Sequence, residues 1–527
     1  LTEQQKGAFF VRQATGLVRE LSTWDVIIWA IACPAASGML YYQVTTATTY
    51  RGAMPWLSFL LGGVTMLPIA ITLAYMLQIM PRSGGMYVVM SRLIDPTVSF
   101  VFSWIYMLGN GLTTGVMAWV ATGVLASVFV LGGHAANVPS MLSVGVWMTG
   151  TIGRFAVSLL ALVVFFLVTM YSLGAVKWLM RVITIIPIIA TAAFIIIPFT
   201  VGPGGAFAAF DNTWGAGVAE KIISAASANG WTNPTFSMGS TLGMLLVVYW
   251  AFTGWESVSF AAGEVKTPKK SLFNGLIGGF IGTWFLYVIV AGSIWYPYTN
   301  SGLISAYTYL WDKYPAVLNG ILPATRPSVP LFAGSLVPNV WVAVILMTMV
   351  SIWFYNTVPP VLVATSRILF AQSFDRALPQ RFSNVSESRG VPYWGLLVAF
   401  IIGLVSIFVY VGNIPVLLAT LDFTWYCIFF IFGMAAMILP FKRPDMFKLS
   451  PLQKKVAGIP VISILGLLTV GIGTWLLLFP VLELDFSSMA FLAIWVVIGL
   501  VVYLGMQAKN AARGIDVSKI YQEIPPE

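Results

Sequence analysis

The chain has 527 residues, of which 59% are hydrophobic and 9% charged, with a mean hydropathy of +0.89. A soluble domain carries about 25% charged residues, so the composition excludes a water-soluble fold. The net charge of +9 raises nucleic acid as a partner, but the placement of the basic residues, set out below, assigns that charge to membrane orientation instead.

Runs of roughly 20 apolar residues span a bilayer, and twelve occur here. Residues 1–23 read as a cytoplasmic tail ending in a short amphipathic stretch. Span 1 is Trp24–Tyr50, and Cys33-Pro34-Ala35-Ala36-Ser37-Gly38 interrupts it. Pro34 has no N–H, so the Ala30 carbonyl loses its helical partner. Ser37-Gly38 permits an unwound backbone and close approach of a ligand. A helix restarting near Ala36 would aim free N–H groups and a positive dipole end into the bundle, which suits a carboxylate. The competing reading is a proline kink with small residues at a helix contact.

Span 2 is Pro55–Met80, span 3 Val98–Leu131, span 4 Phe155–Leu173 and span 5 Val182–Val201. A long outside segment, Gly202–Gly239, follows. Span 6, Thr241–Phe260, is interrupted around Phe252-Thr253-Gly254. Carbonyls left unpaired before Gly254 would accept a substrate ammonium. Span 7 is Gly275–Trp295, followed by a second long outside segment, Pro297–Pro338. Both segments exceed ordinary connection lengths and are expected to be partly ordered lids. Span 8, Val340–Ala371, carries Asn356-Thr357 before Pro359-Pro360, which frees the carbonyls of Tyr355 and Asn356. These oxygens suit a small cation; equally, the prolines simply kink the helix. Spans 9 to 12 are Tyr393–Val411, Ile414–Leu439, Ile459–Leu482 and Met489–Gln507. Residues 24–439 thus form a ten-span core, 440–507 add two spans and 508–527 form a second cytoplasmic tail. Five spans per half place the halves of the core in opposite orientations, and interrupted segments at matching places in two such halves mark a transport site.

Five of the 27 Lys and Arg, namely Arg51, Arg154, Lys221, Lys313 and Arg326, fall in segments on one side, and all others fall on the opposite side or in the tails. By the positive-inside rule both termini are cytoplasmic. The basic balance also implies attraction to anionic inner-leaflet lipids. Asp25, Glu256 and Asp422 lie in or at the edge of spans, where an acid is a functional candidate by default. Glu256, two residues past Gly254, reads either as a proton carrier or as a structural acid anchoring the broken helix. Asp25 reads as a solvated helix-start acid, and Asp422 has no partner evident in the sequence. His134 is the single histidine, and Cys33 and Cys427 both lie in spans, so neither a histidine metal site nor a disulfide framework is expected. No nucleotide fingerprint, P-loop or nucleophile elbow occurs, which argues against an enzyme and against direct ATP coupling. No cofactor is expected.

Three stretches carry a family resemblance: Pro81-Arg82-Ser83-Gly84-Gly85-Met86-Tyr87; Ala251-Phe252-Thr253-Gly254-Trp255-Glu256 with Glu264-Val265-Lys266-Thr267-Pro268; and Ser366-Arg367-Ile368-Leu369-Phe370-Ala371 with Asp375-Arg376-Ala377-Leu378-Pro379. In this order they resemble the amino acid–polyamine–organocation transporters over about the first 390 residues. The resemblance implies an all-α polytopic membrane protein with twelve transmembrane helices and a five-plus-five inverted-repeat, leucine-transporter-like core with broken helices 1 and 6. It implies substrate contacts at Ala35, Ala36, Ser37, Gly38, Phe252, Thr253 and Gly254, since Ala36-Ser37-Gly38-Met39 is similar to the family's Gly-Ser-Gly-Ile segment. Phe252 aligns with its aromatic gate, and Arg367 is the best cytoplasmic gate residue. The Lys that some members carry in span 5 is absent from Val182–Val201, and Tyr75 stands where Glu is frequent. The expected function is secondary active transport of amino acids or related amines across the cell membrane by alternating access. Coupling is to H+ through Glu256, the favoured reading, or to Na+ through the Ala30 carbonyl, Asn356 and Thr357, with uncoupled exchange as the third option. The alternative is a non-transporting sensor or accessory subunit retaining the fold.

Overall fold

The computed structural model describes residues 16–323, 325–412, 415–483 and 485–523. The first fifteen residues of the expected N-terminal tail, and the last four of the C-terminal one, lie outside the described residues. Among the described residues twelve helices are long and apolar enough to cross a membrane: Thr23–Thr45, Pro55–Ile79, Pro96–Ala135, Thr151–Tyr171, Leu173–Val201, Met238–Phe260, Pro268–Trp295, Val340–Phe374, Tyr393–Val411, Leu421–Lys442, Val461–Leu478 and Phe486–Ala512. They are spans 1 to 12 in order. The only paired strands among the described residues form a small hairpin, Lys455–Val456 with Ile459–Pro460, between spans 10 and 11.

Local chemistry sets the helix starts. Asp95 accepts the Thr97 and Val98 N–H groups at 2.8 and 3.1 Å, and Pro96 takes the first position of span 3, where a missing N–H costs nothing. Asn339 does the same for span 8 through Trp341 and Val342, at 3.0 and 3.2 Å. Ser172 alone separates spans 4 and 5: its extended backbone turns the chain, and its hydroxyl accepts the Ala175 N–H at 3.0 Å. Span 5 therefore starts at Leu173, nine residues before its apolar run, and includes Lys177 and Arg181. Arg181 reaches Asp25 at 2.7 Å, and Asp25 is only 1% exposed. The expectation of a solvated Asp25 is corrected: a cation on the first turns of span 5 draws it into the protein.

Small residues let the helices approach closely. A Cβ at Gly275 or Gly279 of span 7 would collide with Val26 or Ala30 of span 1. Span 3 runs through the middle of the bundle and is buried along most of its length. Spans 4, 5 and 12 instead turn apolar side chains outward, among them Leu160, Ile196 and Val501, each more than 60% exposed. In a membrane protein these faces meet lipid. Span 12 packs on span 3 through the stacked rings of Trp104 and Trp495, with centroids 5.0 Å apart.

The two long segments expected outside carry helices among their described residues. Ala206–Trp214 and Val218–Ala228 are helices in the first, and Leu303–Lys313, Pro315–Asn319 and Val329–Gly334 are helices in the second. They are tied to each other: the Tyr309 hydroxyl donates to the Asn229 carbonyl at 2.8 Å, and the Trp231 indole to Ser305 at 3.1 Å.

Candidate functional site

Span 6 is opened where the sequence places a break. Its helix ends at Phe252; Thr253 is extended, Gly254 has φ +103°, and tight turns continue over Trp255–Phe260. Only glycine adopts that φ without strain. Glu256 stitches the gap. Its carboxylate accepts the Gly254 N–H at 2.9 Å and the Tyr106 hydroxyl of span 3 at 2.8 Å, and the residue is fully buried.

Span 1 behaves differently. The helix runs through Pro34, Ala35 and Ala36 and then widens into a π-helical stretch, Ser37–Tyr42, with Ala36 and Ser37 in right-handed helical conformation. The expected unwinding and restart near Ala36 are corrected. Widening, a common device at functional sites, frees carbonyls without breaking the helix, and hydroxyls from other spans take them. The Cys33 carbonyl accepts Thr357 Oγ1 of span 8 at 2.6 Å. The Pro34 carbonyl accepts Ser37 Oγ at 3.0 Å and lies 2.6 Å from the Tyr287 hydroxyl of span 7. That hydroxyl is also 2.6 Å from the Ala251 carbonyl, so one proton is shared between the interruptions of spans 1 and 6.

Between these elements lies a small cavity, with room for about one water, 10 Å³. Its wall comprises Cys33 and Ser37 of span 1, Thr113 and Met117 of span 3, Trp250, Thr253 and Gly254 of span 6, Thr357 of span 8 and Trp425 of span 10. Ser37, Thr253, Gly254 and Thr357, expected from sequence, meet here. Ala35, Ala36 and Gly38 are buried but do not line the cavity. A Cβ at Gly38 would lie 2.5 Å from the Tyr287 ring, so this glycine admits the tyrosine rather than a ligand. Phe252 is also elsewhere. It packs against Phe280 and Tyr287, with ring centroids at 5.3 and 5.1 Å. The aromatic residue of span 6 on the cavity wall is Trp250, on the last helical turn before the opening. Sequence reasoning missed it because counting from a motif does not reveal which face the last turn presents.

The oxygens considered for a cation are partly rearranged. Ala30 packs its side chain against Gly279, and the carbonyl at Thr357 is that of Cys33, three residues later. This corrects the choice of Ala30. Asn356 donates to Thr184 of span 5 at 3.4 Å, while its buried side-chain oxygen has no partner. Where Asn356 meets span 5 the residue is thus a threonine. The lysine and arginine of span 5 sit nearer its start, with Glu20 and Asp25. Asp422 lies near Tyr42 and Tyr426, away from the cavity wall. Among the described residues no group of three metal-ligating side chains occurs.

Toward the end of the bundle that holds Leu21 and Tyr521, the cavity is sealed. Arg367 of span 8 donates twice to Glu264, at 2.9 and 2.7 Å, with both side chains 1% exposed. Arg92 pairs with Asp375, also buried. Backbone bonds close the layer. The Leu21 N–H donates to the Glu264 carbonyl at 3.0 Å, the Lys266 N–H to the Leu21 carbonyl at 2.9 Å, and the Gly84 N–H to the Phe260 carbonyl at 2.8 Å. Gly84 has φ +98° and no room for a Cβ against Ala371. The turn at Pro81–Tyr87, the end of span 6 and the end of span 8 are therefore one interlocked plug, although they are far apart in sequence.

The sequence matches the amino acid permease family over residues 21–502. It is 24% identical to the methylthioribose transporter of Bacillus subtilis (strain 168), with 95% of each chain covered. It is 23% identical to the branched-chain amino acid permease BcaP of the same organism over 94% of each. To the histidine permease HisP of Lactococcus lactis subsp. cremoris (strain MG1363) it is 22% identical, over 86% of this chain and 87% of that one.

Proposed function

The chain belongs to the amino acid permease family and is a transporter of amino acids or amines, not an enzyme; from that premise we propose that it moves a neutral zwitterionic amino acid by proton-coupled alternating access. The observation that carries this reading is the cavity wall. It joins the opened backbone of span 6 to the widened turn of span 1, and it contains no Asp, Glu, Lys or Arg. An amino acid's own two charges are met by backbone: carbonyls before Gly254 for the ammonium, and for the carboxylate the N–H groups that the widened turn of span 1 releases when it opens around the substrate. A charged side chain, or a polyamine, would find no counter-charge, and burying an unpaired charge is costly. Met117, Trp250 and Trp425 suit an apolar side chain.

The cavity is too small for an amino acid in this conformation, so substrate enters by displacement of its wall. With the Arg367–Glu264 layer shut, access comes from the outer face, and the next step requires that layer to part. The reading puts the protein in the cell membrane with both termini in the cytoplasm, an orientation that the distribution of basic residues supports. Glu256 is the proton carrier. It is fully buried, it touches the break directly through the Gly254 N–H, and protonation would weaken that bond. The sodium alternative is weaker because Thr357 and the Cys33 carbonyl already satisfy each other.

Uptake of radiolabelled amino acids into proteoliposomes tests the reading. Leucine, valine or a similar neutral amino acid should accumulate under an inward pH gradient, without sodium. Lysine and putrescine should not. Glu256→Gln should abolish gradient-driven accumulation while leaving exchange of internal for external substrate. Sodium-stimulated uptake that persists in Glu256→Gln and fails in Thr357→Val would reverse the assignment of the coupling ion. Absence of any transport, with substrate still bound, would favour a sensor.

A further inference from the structure

A second cavity lies at the outer end of the molecule. It has a volume of about 500 Å³ and shares no residue with the central one. That is within the range of about 300–1,000 Å³ typical of small-molecule sites. It is built where the outer ends of spans 1, 2, 6 and 7 meet both outside segments, with Gln43, Met54, Trp56, Met244 and Trp295 among its walls. None of its lining residues is Asp, Glu, Lys or Arg.

Two of these residues are out of balance. Gln43 is 0% exposed, yet neither its side-chain nitrogen nor its oxygen has a hydrogen-bond partner. The Trp295 indole N–H is likewise buried and unpartnered. Other polar groups on the wall are already used: the Tyr298 hydroxyl donates to the Phe332 carbonyl at 2.9 Å, and Ser305 accepts from Trp231 at 3.1 Å. A buried amide without partners is expensive, and folded proteins leave few of them. Gln43 presents a donor and an acceptor side by side, and Trp295 adds a donor. A primary carboxamide complements the Gln43 pair once that side chain turns from its buried position toward the cavity, its N–H meeting the Gln43 oxygen and its carbonyl the Gln43 N–H, with the Trp295 N–H on the same wall as a further donor. A carboxylate would face the Gln43 oxygen with no donor to offer, and no cation on the wall offsets its charge.

We propose that this outer cavity is a second ligand site, separate from the transport cavity, which takes a neutral molecule with an apolar body and a carboxamide end. Its occupant touches spans 1 and 6, the two that carry the interruptions, together with span 7. Binding here therefore holds the outer ends of the spans in their present relation and slows transport without competing with substrate.

The probe is indole-3-acetamide, compared with indole-3-acetate, which has the same shape but carries a charge. Saturation-transfer NMR on the full chain in lipid nanodiscs should show the amide bound and the acetate not. No transported amino acid should displace the amide, and the amide should lower the maximal uptake rate without changing the substrate concentration for half-maximal rate. Gln43→Leu should lose the amide signal and, in the absence of probe, melt at a higher temperature, since it removes an unsatisfied buried amide. Trp295→Phe, which deletes only the N–H, should weaken binding several-fold and decides the matter if Gln43→Leu does not fold. Equal signals from amide and acetate, displacement by a transported amino acid, or undiminished binding in both variants would each overturn the proposal.

Discussion

Gly254 and Gly38 illustrate two different uses of the same residue. Gly254 has φ +103°, and a Cβ there would lie 3.0 Å from Cys33 Sγ. An alanine in a left-handed conformation costs roughly 1–2 kcal/mol. Gly254→Ala should therefore lower the melting temperature and remove uptake; wild-type uptake would show that the opened backbone is dispensable. Gly38 is helical, and what it makes room for is a ring. Replacing Tyr287 by Phe would leave the Pro34 and Ala251 carbonyls without that hydroxyl, at about 1–3 kcal/mol for groups left unsatisfied. The aromatic pair separates in the same way. Trp250→Ala should lower uptake beyond what any loss of stability explains, because the residue lines the cavity. Phe252→Ala should instead destabilise the protein, by about 3–5 kcal/mol if its packed surroundings cannot collapse. Ligand protection and uptake, measured for both, distinguish them; the opposite pattern would restore Phe252 as the cavity aromatic.

Among the elements, the plug of span 6, span 8 and the Pro81–Tyr87 turn is where charge matters most. Removing one member of a buried ion pair costs about 3–5 kcal/mol, because the other stays buried without a partner. Arg367→Ala should thus favour the arrangement in which Glu264 reaches water, with the plug open. Cys33 is a native reporter, since it lines the central cavity. In a Cys427→Ser background, Arg367→Ala should speed labelling of Cys33 by a membrane-impermeant thiol reagent supplied from the cytoplasmic side of inside-out vesicles. Unchanged or slower labelling would mean that the pair serves folding and not closure. Arg367→Lys should recover closure only in part, because Arg makes two bonds in a fixed geometry and Lys offers a point charge.

For the molecule as a whole, orientation is the property that everything else inherits. Lys519 lies on a short helix at the plug end, and Lys313 ends a helix of the second long segment, expected outside. With both native cysteines replaced, a single Cys at position 313 should react with an impermeant reagent added to intact cells, and one at 519 only after permeabilisation. The reverse would invert the topology and the direction of every step above.

Hydropathy alone announced the membrane, the number of spans and, through the lysines and arginines, their expected orientation, because a bilayer punishes any buried charge and any short apolar run in a way that is local to the chain. The break in span 6 was legible for the same reason: Gly254 weakens a helix inside an apolar run, and Glu256 two residues later needs donors that an opened backbone supplies. The ion pairs of the plug were only half legible, since Arg367, Glu264 and Asp375 could be named but their pairing depends on which span ends meet. Span 1 shows the limit most clearly. Pro34 and Gly38 suggested an unwound segment, yet the backbone stays helical, because hydroxyls of Tyr287 and Thr357 arrive from 253 and 324 residues away to take its carbonyls. The choice of Trp250 over Phe252 and of Cys33 over Ala30 has the same origin: a helix offers each neighbour one face, and which neighbour comes is decided by packing across the bundle.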